Sequence, residues 1–166
     1  MKKIKDIFTC WVFVTFSMCA CCSCESQTIN NKSLATEWIN ILNAHDTTGL
    51  SRLYSDSAKL ASPNWEGFIS GRDAVKQTYS RYFSSTPDLQ HSINNILSTD
   101  SAVIIEYTFY GTLLNPEHNT PEYMRGKKYS LNACTVMSIR NRKITKQQTY
   151  FDQVSFLKQM GFFDQR

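Results

Sequence analysis

Proton transfer at a carbon or oxygen acid needs a carboxylate or an imidazole held away from water, with a neighbour that orients the reacting group. Asp152 is the foremost candidate for such a group. It follows a β-rich stretch, residues 143–151, and precedes a helix-like stretch, residues 153–160. Period-2 alternation puts Ile144, Gln148, Tyr150 and Asp152 on one strand face, so Gln148 and Tyr150 would stand beside the carboxylate. Two readings of Asp152 stay open: a general acid/base pointing into a cavity, or a cap on the exposed backbone N–H groups of the next helix. Glu106, inside the apolar run 103–109, is either a desolvated acid or an outward-facing strand residue. His91 opens a strand, where it either faces a hollow and orients a substrate or sits at an edge. His45 and Asp46 are adjacent at a helix end and cannot face one another. A histidine there also suits the helix C-terminus, so the pair reads as structural.

Tyr54, Trp65, Phe68 and Tyr107 could wall a pocket for a small apolar molecule, although aromatic clusters also build ordinary cores. No set of His, Cys, Asp and Glu has metal-ligand spacing. No glycine-rich phosphate loop or Gly-x-Ser-x-Gly elbow occurs. The expected cofactor and metal complement is therefore none.

The elements that must position these residues follow from periodicity. Leu34, Trp38, Ile41 and Leu42 recur at helical spacing after Ser33, a potential cap. A short second helix carries Leu50, Leu53 and Tyr54, and residues 57–62 read as a strand. Gly71-Arg72-Asp73 opens a third helix bearing Val75, Tyr79, Tyr82 and Phe83, which ends at Pro87-Asp88. Four strands follow: residues 91–98, the β-rich 101–112, and a hairpin. The hairpin turns at Asn141-Arg142, since Asn tolerates left-handed φ. Tyr129, Leu131, Ala133, Met137 and Ile139 share one face of its first strand. Helices first and an antiparallel meander after make an α+β domain, its sheet curved into a cone or half-barrel against about three N-terminal helices. Such a hollow is the default ligand site.

The chain has 166 residues, enough for one domain, and a formal charge of +4. Lys2, Lys3 and Lys5 concentrate that charge at the start, and no basic run or stripe follows, which argues against nucleic acid as a partner. Those lysines, the apolar residues 7–20 and the cysteines after them form a leader with the look of a bacterial lipoprotein signal. The expected organisation is a signal over residues 1–24, a flexible tether over 25–32 and a domain over 33–166. Cys24 or Cys21 would take the lipid, anchoring the domain to the cell envelope on the periplasmic or outer side. Five of the six cysteines lie at or before Cys24, so the domain holds no internal disulfide and Cys134 is a small strand residue.

Several pieces, taken in order, resemble the SnoaL-like polyketide cyclases of the nuclear transport factor 2-like fold. They are Trp38 with Asn43-Ala44-His45-Asp46, then Leu53-Tyr54-Ser55-Asp56, Gly71-Arg72-Asp73-Ala74-Val75, and Pro87-Asp88-Leu89. Tyr110-Gly111-Thr112, Lys143-Ile144, Tyr150-Phe151-Asp152 and Gln159-Met160-Gly161 complete the set. The resemblance implies a conical pocket and, in the cyclases, an aspartate that shuttles a proton, which Asp152 matches. Two departures weaken that chemistry. Gly111-Thr112 is followed by Leu113 where the family often has histidine, and Ser62-Pro63 replaces the Asp-Pro of the related ketosteroid isomerases. The leading expectation is a tethered binder of a small apolar ligand. The alternatives are a cyclase, isomerase or hydrolase using Asp152, with Gln148, Tyr150 and His91 orienting the substrate, and an interaction domain that forms a homodimer through the open sheet face.

Overall fold

The structure is a computed structural model that describes residues 21–164, with side chains described from residue 31. Of the expected signal over residues 1–24, residues 1–20 lie outside the described residues, as do the side chains of Cys21 and Cys24. Helix α1 spans Cys21–Asn43. It runs straight through residues 25–32, which corrects the expected tether and the expected start at Ser33. Nothing in that polar stretch breaks a helix, because it contains neither Gly nor Pro.

Helix α2, Thr47–Arg52, follows after a sharp turn. His45 adopts φ 54°, and Asp46 caps α2 by accepting from the backbone N–H groups of Thr48 and Gly49. Strand β1, Tyr54–Ala61, takes in Tyr54, which the sequence had assigned to the second helix. Strand β2 is the two-residue Ile69–Ser70. Helix α3, Arg72–Ser85, begins after Gly71, whose φ of 99° suits glycine and ends β2 abruptly. Strands β3, Gln90–Ser98, β4, Ala102–Thr112, β5, Lys128–Arg140, and β6, Lys143–Phe151, form the meander. Helix α4, Gln153–Gln159, closes the domain.

The six strands make one sheet in the order β2-β1-β6-β5-β4-β3. All pairings are antiparallel except β1 with β6, which is parallel. The sheet is curved and unclosed, and the three N-terminal helices cover its concave face. Each strand gives that face its alternate residues: Val103 and Ile105 from β4, Met137 and Ile139 from β5, Ile144 from β6. They meet Ala35, Trp38, Ile39 and Leu42 of α1 and Val75 of α3 in a single core. Burial of this apolar area is what holds helices to sheet. A smaller cluster, Leu113, Met124 and Met160, seals the end beside α4.

Two bulges set which residues face inward. In β6, Lys146 pairs with Ser138 but Ile144 pairs with Ile139, so Thr145 is an extra residue. One extra residue flips the parity of everything beyond it. Ile144 points into the core, and after the bulge the inward residues are Gln147, Thr149 and Phe151. In β3, Asn94 is the corresponding extra residue, between Ile93 opposite Tyr107 and Asn95 opposite Glu106.

Candidate functional site

The core does not fill the concave face. Between α1, α3 and the sheet lies an open cavity of about 720 Å3. Its walls are largely aromatic. Trp38 meets Tyr79 and Tyr107 edge-on, with ring centroids 6.5 and 6.0 Å apart. Phe109 packs against Tyr129 at 6.0 Å and Phe151 at 5.5 Å, both edge-on. Edge-to-face pairs satisfy the ring quadrupoles and leave the remaining faces bare towards the hollow.

The inner wall is a continuous chain of neutral polar groups. The Trp38 Nε1–H donates to the Tyr54 hydroxyl at 2.8 Å, and that hydroxyl donates to Gln147 Oε1. Gln147 Nε2 donates to the Tyr79 hydroxyl at 2.9 Å and to Thr149 Oγ1 at 3.1 Å. Thr149 bonds Thr135 at 2.8 Å, and Thr135 bonds the Tyr107 hydroxyl at 3.1 Å. Burial pushes the Tyr107 phenol up to about 12 and the Tyr54 and Tyr79 phenols higher than their ordinary value, so all three stay protonated at neutral pH. Charged residues stay at the mouth. Glu66, Arg81 and Glu117 line it and are exposed, with Arg81 and Glu117 3.8 Å apart. The loop carrying Trp65 and Phe68 forms the rest of the rim. Trp65 is half-buried, and its Nε1–H is buried without a partner.

Among the described residues, His91 is the imidazole that lines the wall. The Asn43 side chain is fixed by two backbone contacts: its Nδ2 donates to His91 O at 2.9 Å, and its Oδ1 accepts from His91 N at 2.7 Å. That oxygen also lies 3.1 Å from His91 Nδ1. Because Oδ1 only accepts, Nδ1 must carry the proton and Nε2 holds a free lone pair. Burial beside Tyr107 and Phe109, helped by nearby His45, pulls the His91 pKa down to about 4, so the ring is neutral. His45 itself stacks on Phe83 and bonds Leu89 O at 2.8 Å through Nε2, a structural role.

The structure brings only some of the sequence candidates together. Trp65, Phe68, His91 and Tyr107 line the cavity. Tyr54 lies behind its wall, fully buried in the polar chain. Gln148 and Tyr150 lie on the opposite sheet face, because the β6 bulge reverses the parity that straight alternation assumes; Tyr150 is half exposed. Glu106 is on that outer face too, accepting from Asn95 Nδ2 at 3.3 Å. Asp152 is outside the cavity and exposed. It caps α4, accepting from Val154 N at 2.9 Å, Ser155 N at 3.2 Å and Ser155 Oγ at 2.7 Å. The Ser155 hydroxyl and the helix N–H groups hold its pKa below the ordinary carboxylate value, the reverse of a desolvated acid. Gln147, Thr149 and Tyr82, which also face the hollow, were not singled out as site residues by sequence. The usable signal was the pair Gln147–Gln148, in which one bulge decides which glutamine goes inside.

Comparison with known proteins adds the family. The SnoaL-like domain family matches residues 35–147. No curated protein matches the sequence. Among solved structures, a candidate SnoaL-like polyketide cyclase from Jannaschia sp. CCS1 superposes with a TM-score of 0.72 at 10% identity, covering 80% of this chain and 92% of its own. A candidate polyketide cyclase from Xanthomonas campestris pv. campestris gives 0.70 at 16% identity, covering 81% and 98%. A protein of ketosteroid isomerase-like fold from Catenulispora acidiphila, in complex with trimethylamine, gives 0.65 at 18%, covering 77% and 92%. At such identities the likeness shows a shared fold and carries no activity across.

Proposed function

This chain belongs to the SnoaL-like domain family, and from that premise we propose that it is a binding protein for a small, uncharged, largely apolar molecule held in the cavity. The observation that carries this reading is the pairing of about 720 Å3 of aromatic-walled space with an inner wall of neutral hydrogen-bonding groups. An ionised ligand would give up water for a wall that offers no opposite charge, since the lining carboxylates and arginine all stand in solvent at the mouth. An apolar ring gains from every aromatic face it covers. The enzymatic alternative built on Asp152 has no support from the geometry, because that carboxylate is spent on a helix cap outside the hollow.

The test is native mass spectrometry on protein purified from its own host. A retained neutral molecule of low mass supports the reading. An empty protein that also takes up no apolar aromatic probe overturns it. We also propose, from the lysine-led apolar start and its cysteines, that a lipid on Cys21 or Cys24 tethers the domain on the outer side of a bacterial membrane. Incorporation of labelled palmitate, lost in Cys21→Ser or Cys24→Ser, checks that part.

A second reading has one observation in its favour. The outer sheet face carries half-buried Ile104 and Val136 beside exposed Tyr110 and Tyr150, 46% and 50% accessible. A second copy covering that face would hide them. Tyr150→Lys would then convert a dimer to a monomer in sedimentation, and a wild-type protein that sediments as a monomer excludes it.

A further inference from the structure

Most polar groups of the wall are already committed. Tyr54, Gln147, Thr149, Thr135 and Tyr107 bond one another. Thr78 Oγ1 donates to Ala74 O and Ser85 Oγ to Tyr82 O, while Thr86 Oγ1 accepts from the Tyr129 hydroxyl. His91 Nε2 differs. Its lone pair takes part in none of the described hydrogen bonds, and the half-buried ring lines the cavity beside Tyr107 and Phe109. The hydroxyl of neighbouring Tyr107 is turned to Thr135. Asn43 fixes the tautomer from the opposite side of the ring, so in the neutral imidazole Nε2 cannot become a donor without breaking that bond. In the open cavity water can reach this acceptor, so a ligand that fills the space displaces that water and must bring a donor of its own or leave the lone pair unpaired.

We infer that His91 is a specificity-determining residue that accepts a hydrogen bond from a hydroxyl of the bound molecule, so that the cavity selects neutral alcohols or phenols over their ethers and parent hydrocarbons. The inference rests on the cavity-binding reading above and names the ligand class for it. His91 acts only as an acceptor in this assignment; no proton leaves the ligand.

The experiment compares three probes of similar shape, naphthalene, 2-methoxynaphthalene and 2-naphthol, by calorimetry on wild-type protein and on His91→Leu. Leu at this position keeps the backbone contacts with Asn43 and packs against the same two rings. The expected result is 2-naphthol binding about tenfold tighter than the other two, the worth of one net hydrogen bond, with the preference gone in His91→Leu. In parallel, 15N NMR of the wild-type imidazole should show Nε2 unprotonated at neutral pH and shifted on adding 2-naphthol. Equal binding of 2-naphthol and 2-methoxynaphthalene, a preference that survives in His91→Leu, or a protonated Nε2 each overturns the inference and leaves the cavity reading standing. Failure of all three probes to bind overturns the cavity reading, and this inference with it.

Discussion

Gln147 has one amide oxygen and two amide hydrogens, and the interior uses all three. Replacement by Leu would leave the Tyr54 proton, the Tyr79 oxygen and a Thr149 lone pair without partners in a site that water reaches poorly. At about 1 kcal/mol for each orphaned group, Gln147→Leu should lower stability by about 3 kcal/mol, measured by urea unfolding. His91 gives a pH signature of the opposite kind. Its pKa is about 4 when folded and 6.5 in an open chain. Between those values the unfolded chain binds the extra proton, so this contribution to stability is complete above 6.5 and is lost as pH falls towards 4. The loss amounts to about 3 kcal/mol, and below pH 4 the contribution is flat. His45 and Tyr107 are the titratable groups that face the ring. The difference between wild type and His91→Leu, followed by denaturation from pH 7 to 4, isolates the effect. Asp152→Ala should behave differently again. It removes a cap and so lowers the melting temperature modestly, while probe binding stays unchanged because the carboxylate does not meet the cavity. A large loss of binding in that variant would restore the acid/base reading.

At the scale of strands and turns, the sequence carried the elements better than their facing. The inward face of β5, from Leu131 through Ala133 and Met137 to Ile139, follows strict alternation, and it is buried as alternation requires. The same rule misplaced Gln148 and Tyr150, because a bulge has no composition of its own: Thr145 looks like any β-branched strand residue. Only the pairing partner reveals that two residues of β6 stand against one step of β5. Asp152 was legible as a boundary residue, and the sequence left its role open, because a cap and a cavity acid use the same side chain at the same position. The β5–β6 turn was legible from Asn141. Both its central residues have positive φ, 51° for Asn141 and 57° for Arg142. Arginine in that region is strained by its Cβ, and glycine is not. Glycine also loosens the unfolded chain, which offsets part of the relief. Arg142→Gly should therefore raise stability by about 0.5–1 kcal/mol with no change in probe binding, measured by thermal and urea unfolding.

For the molecule as a whole, folding and binding compete for the same space. Three helices over an open, curved sheet bury enough side chains to hold the fold, yet the concave face keeps about 720 Å3 unfilled. A protein selected only for stability would fill such a hollow, since packing atoms into it gains dispersion and apolar burial. Leu131 is the position to test this. It is buried on β5, points into the cavity and stands opposite Phe109 across the strand pair. Leu131→Trp adds a ring to the empty side of that contact, where the space is open and the neighbouring rings have bare faces. If the hollow exists to be occupied by another molecule, this substitution should leave urea stability unchanged or raise it, while weakening naphthalene binding at least tenfold, about 1.4 kcal/mol. If the hollow were merely loose packing, wild type would bind no probe and the variant would differ from it only in stability. The two measurements move in opposite directions under the binding reading, and calorimetry beside urea unfolding of the same pair of proteins separates them.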